Sequence, residues 1–110
     1  MEHAIRQEEK VTVIELSGEI DVSCALQLKD LLQGFVDDGK NQLLIDLAGV
    51  SFMDSTALGI FINAFKRNRQ AGGDIKFANP QEELRKVFSL TQTDKIFSIF
   101  DSVDEGLRSF

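Results

Sequence analysis

Only one cysteine, Cys24, and one histidine, His3, occur among the 110 residues. A single thiol excludes a disulfide within the chain, and one residue of each kind is too few for a zinc site built from Cys and His. The fold must rest on packing. With the sole imidazole in the N-terminal segment, a serine nucleophile has no histidine base in prospect. No apolar run approaches the roughly 20 residues a membrane-spanning helix needs, and the opening "MEHAIRQEEK" lacks the basic start and apolar stretch of a secretion signal. A cytoplasmic address is the expectation. G-x-x-x-x-G-K-[ST], G-x-G-x-x-G and G-x-S-x-G are all missing, so no glycine loop for nucleotide phosphates and no nucleophile elbow is indicated, and no cofactor is implied. Positive charge is in the minority, 12 Lys and Arg against 18 Asp and Glu, for a net charge of -6. Binding to nucleic acid, or directly to an anionic membrane, is therefore not expected. The basic run "KRNR" (66–69) reads as the last turns of a helix, where cations complement the dipole.

What is present is a 43% apolar chain with no linker, repeat or low-complexity stretch, enough for one core and one domain over residues 1–110. "VTVIELSG" (11–18) and "QLLIDL" (42–47) read as strands covered on both faces. Between them Ala25, Leu28, Leu32 and Phe35 recur at helical spacing, with Ser23 as N-cap and Gly39 as terminator. A second helix is expected from Ser55, with Leu58, Phe61, Ile62 and Phe65 on one stripe and Gly72-Gly73 closing it. "DIKFAN" (74–79) is a further strand. Asn79-Pro80 with Glu82 predicts a helix start with Pro at its first position, ahead of Leu84, Val87 and Phe88. "KIFSIF" (95–100) predicts a last strand, and Ser102 with Glu105 caps a closing helix carrying Val103, Leu107 and Phe110. "HAIRQEE" near the start reads as an extra edge strand. The alternation predicts an α/β fold, a mixed four- to five-stranded sheet with about four helices packed on it. The nine Phe read as core or helix-face residues and Cys24 as a small apolar one.

Sites in open sheets of this kind form where strands end and loops enter helices. Two such loops, "GEIDVS" (18–23) and "SFMDST" (51–56), hold acids beside hydroxyls. Asp54 reads as a helix N-cap, with Met53 and Leu58 at the staple positions on either side, or as a functional acid. Asp21 and Asp54 would suit Mg²⁺ only if they converged, and two acids are a weak metal signal. Gly59, inside a helix at a cost of about 1 kcal/mol relative to alanine, predicts that another backbone approaches there. Thr56, Gly59 and Asn63 form a narrow strip of small or polar residues beside Ser55, filled either by a loop of this chain or by a partner. No lysine lies near "DST" in sequence, so a Ser-Lys pair has no local support. A serine without a base can still accept a phosphate from another protein. At a helix start, phosphoserine adds about -1.5 to -2 charges where free N–H groups tolerate an anion. A partner docked over Ser55, Thr56 and Gly59 would then meet new charge beside Asp54.

"LSGEIDVS", "LLIDLAGVSFMDSTALGIF" and "GGDIKFAN" together resemble, in order and spacing, the STAS domain of bacterial anti-sigma factor antagonists. The central block is the most specific part, similar to that family's D-S-[ST]-G-L-G motif. The resemblance implies a STAS-like fold and a non-enzymatic regulator acting by partner switching. The serine after the motif aspartate is phosphorylated by an anti-sigma factor that is itself a serine kinase, which frees the kinase from the antagonist, and a PP2C-type phosphatase resets it. Carried over, the phosphoacceptor is Ser55, Asp54 is the motif aspartate, Thr56 the second hydroxyl, and Asp21 the acid of the neighbouring loop. Ala57 stands where the family has glycine, which stiffens the helix start. The alternative is a STAS binding module in a signalling scaffold or a lipid-transport complex, using the same face for a fixed contact.

Overall fold

Alternating apolar residues on β2, Val11–Ile20, point to opposite sides of a sheet. Ile14 and Leu16 enter the main core, while Val11 and Val13 enter a smaller cluster behind it. The computed structural model describes residues 1–110. Five strands lie side by side in chain order: β1 (Glu2–Glu8), β2, β3 (Gln42–Met53), β4 (Asp74–Ala78) and β5 (Ile99–Phe100). β1 pairs antiparallel with β2, and every later pair is parallel. Crossovers carry α1 (Ala25–Asp37), α2 (Ser55–Gln70) and α3 (Glu82–Leu90), and α4 (Val103–Arg108) closes the chain. The mixed five-stranded sheet with four α-helices is the expected architecture.

Leu28 and Leu32 of α1, Leu58 and Phe61 of α2, and Leu84 and Phe88 of α3 share one core with the sheet. Phe77 sits at its centre, with Phe61, Phe88 and Phe97 ring centroids at 5.0, 5.4 and 4.9 Å. Aromatic contacts in tilted and edge arrangements add to the burial. The opposite face is covered only at one end, where Val103 and Leu107 of α4 pack on Val11, Val13, Leu44 and Ala78. Beyond α4 that face is open, with Glu15, Ala48 and Gly49 exposed. The expectation of strands covered on both faces therefore holds only where α4 lies. Phe52, 48% exposed, and Phe110, at 36%, are the exposed phenylalanines.

Helix ends show which local signals act. α1 stops in a Schellman motif: Gly39 at φ +77 donates to the Val36 carbonyl and Lys40 to that of Phe35. Gly72 and Gly73 close α2 in the same way, donating to Arg69 and Asn68. Ser102 caps α4 by accepting the Glu105 N–H at 3.1 Å. Two expected starts are displaced. Ser23 does not cap α1; it lies inside a 3₁₀ turn, Val22–Cys24, whose own N-cap is Asp21. Asn79 takes φ +56 as a turn residue and α3 begins at Glu82 behind Gln81, so Pro80 is not its first residue. "KIFSIF" contributes only two strand residues, because Thr93–Lys95 forms a 3₁₀ turn.

Candidate functional site

Parallel pairing sets Ile20 opposite Met53, so the loops leaving β2 and β3 emerge together at the carboxyl edge of the sheet. Asp54 ties them. Its N–H donates to the Ile20 carbonyl at 3.2 Å, its Oδ1 accepts the Ala57 N–H at 2.9 Å, and its Oδ2 accepts the Val22 N–H at 3.1 Å. One carboxylate thus caps α2 and holds the adjacent loop, with both oxygens engaged by backbone. Met53 and Leu58, at the staple positions, are both buried in the core.

Asp21 is turned the other way. Its Oδ1 accepts from the Ser23 hydroxyl and, at 3.0 Å, from the Ser23 N–H, and these bonds hold its carboxyl below the usual 3.8. The two acids therefore meet through the Val22 amide and do not converge on a shared cavity. No group of three or more His, Cys, Asp or Glu side chains comes together as a metal cage. Cys24 is buried, with its Sγ 3.3 Å from the Asp21 carbonyl.

Ser55 is the first residue of α2, and it and Thr56 are exposed. With Gly59, Ile60 and Asn63 they line a shallow depression of about 290 Å³ between α1 and α2. Nothing lies within 4 Å of the place a Cβ would occupy on Gly59. The close backbone approach expected at Gly59 is therefore absent, and no loop of this chain fills the strip. The remaining walls are Lys29 of α1 and Arg67 of α2. Neither was legible as a site residue: Lys29 lies 26 positions before Ser55 and comes near it only because parallel strands set their crossover helices side by side. Lys29 lines the depression without a hydrogen bond to either hydroxyl. Asn68, in the same basic run, is buried and donates to the Asn41 carbonyl at 2.9 Å.

No helix is long and apolar enough to cross a membrane. The STAS domain profile matches residues 3–106. The chain is 35% identical over 104 residues, 94% of each chain, to the anti-sigma-B factor antagonist of Bacillus subtilis strain 168. A crystal structure of a candidate anti-sigma factor antagonist from Thermotoga maritima superposes with a TM-score of 0.92 at 26% identity, over 97% of this chain and 92% of that one. The phosphorylated form of the Bacillus cell fate determinant SpoIIAA gives 0.75 at 20% identity over 98% of each chain, a likeness of fold alone.

Proposed function

The chain belongs to the STAS domain family, among its anti-sigma factor antagonists, and from that footing we propose that it works by partner switching controlled at Ser55. These proteins are regulators that bind, not enzymes. In the proposed cycle the unphosphorylated chain docks an anti-sigma factor serine kinase over Asp21, Asp54, Ser55, Thr56, Gly59 and Asn63, which frees sigma. Transfer of phosphate to Ser55 releases the kinase, and a PP2C-type phosphatase restores the hydroxyl. The setting is the bacterial cytoplasm.

One observation carries this reading: the Ser55 hydroxyl is exposed at the first position of a helix, over a strip that its own chain leaves open. A visiting kinase can reach it. An added phosphate would sit at the positive end of the α2 dipole, so the helix tolerates it while a docked surface does not.

Incubation with the cognate kinase and ATP, followed by mass spectrometric mapping, tests the assignment. Phosphate at Ser55, abolished in Ser55→Ala, is expected; incorporation elsewhere that persists in Ser55→Ala refutes it. Recovery of a transporter ATPase and no kinase in a pull-down would favour a fixed-contact module instead.

A further inference from the structure

In a chain of net charge -6, the groove between α1 and α2 carries the opposite sign. Its lining includes Lys29 and Arg67 and no carboxylate. Both cations are unpaired, since the side-chain ion pairs of the molecule use Arg6, Arg69, Arg85 and Lys86. The Nε of Arg67 is buried without an acceptor. Residues three and four positions from Lys29 on α1 are Ala25, Leu26, Leu32 and Gln33, none of them acidic. Facing it on α2 are Ser55, Thr56, Gly59 and Asn63, again without an acid. An anion entering this groove therefore meets a cation that nothing else holds.

The direction of the lysine also matters. α1 and α2 both leave parallel strands and run the same way. Long helical side chains lean toward the N-terminus of their own helix, which is the end where Ser55 stands. Asp54 and Asp21 lie outside the groove lining, with their oxygens fixed on Val22, Ala57 and Ser23. Repulsion from those carboxylates and attraction to the ammonium act on a phosphate in the same sense.

We infer that Lys29 is the internal counter-ion of a phosphate carried on Ser55, drawing the modified side chain into the groove and over Gly59. This rests on the reading of Ser55 as the phosphoacceptor and adds how the modified state is held. Phosphorylation then does more than repel a partner: it occupies the strip from within and removes the free charge of Lys29 from the docking face.

The test needs neither kinase nor partner. Phosphoserine is installed at position 55 during translation, and its second ionisation, ordinarily near pH ~6, is followed by ³¹P NMR in the unsubstituted chain and in Lys29→Met and Lys29→Arg. A nearby cation favours the dianion, so the midpoint in the unsubstituted chain should lie about half a unit below that of Lys29→Met, with the gap narrowing in high salt. Lys29→Arg should keep the lower midpoint. Circular dichroism checks that each variant is folded, and the Lys29 side-chain signals should shift when Ser55 carries phosphate. Equal midpoints in all three chains, with unmoved lysine signals, overturn the inference. That result would leave kinase-dependent labelling of Ser55 intact, just as failure of the labelling would leave this titration intact.

Discussion

Oδ2 of Asp54 accepts the backbone N–H of Val22 across 32 positions of sequence, at 3.1 Å, while Oδ1 of the same side chain caps α2. Removing it breaks a helix cap and a tie between loops at once. Asp54→Ala should cost about 2 kcal/mol, toward the upper end for a lost cap, because the Val22 amide also loses its acceptor. Asp54→Asn, which keeps an acceptor oxygen, should cost about half as much. Urea denaturation of the three chains checks the ranking; equal midpoints for the wild type and Asp54→Ala would exclude the dual role.

Asp21 and Ser23 make a pH-sensitive pair. The folded carboxyl titrates below 3.8 because Ser23 hydrogen-bonds its charged form. Any stability it supplies is therefore complete above the unfolded value and fades as pH falls through the lower, folded one. Ser23→Ala should move the Asp21 titration, read by carboxyl ¹³C NMR, back up toward 3.8.

Two glycines should respond in opposite ways to alanine. At Gly73 a Cβ would stand 1.9 Å from the Asn41 carbonyl oxygen, a backbone atom that cannot swing aside. Gly73→Ala should destabilise the chain by about 2 kcal/mol or more, as overpacking does. At Gly59 a Cβ meets open space. Gly59→Ala should add about 0.5–1 kcal/mol through helix propensity, in thermal or chemical unfolding. In the proposed docking face the same methyl projects into the strip, so the more stable variant should bind the kinase more weakly, as titration calorimetry would show.

Ser55→Asp places a carboxylate where the phosphate would go. Its far-ultraviolet circular dichroism should match the wild type, because an acid at the first turn suits the helix dipole. Its affinity for the cognate kinase should fall by about tenfold or more, the effect of about 1.4 kcal/mol. Full affinity would remove charge from the switching mechanism.

The strand and helix order could be read from the sequence where periodicity runs long, as in α2 with Leu58 and Phe61, and where glycine forces an end, as at Gly39 and Gly72. Shorter features escaped for physical reasons. Asp21 and Ser23 are both good caps, and a 3₁₀ turn of three residues has no period to say which one acts. Asn79 has the side chain of a cap, but its left-handed backbone turns the chain before α3. β3 runs to Met53, past "QLLIDL", because a register shift against β2 passes over Leu47 and Ala48 and lets Gly49 and Val50 rejoin the ladder without continuing the apolar pattern. At the site, Asp54 and Ser55 were visible because capping is local. Lys29 was not, since its position depends on two crossover helices packing together.

The strands occupy the sheet in the order in which they are synthesised. A chain emerging from the ribosome never has to leave a gap for a segment still to come, and each new strand finds its neighbour already present. Both loops that Asp54 joins are out once α2 has been made, so the proposed docking surface takes shape early in the birth of the molecule.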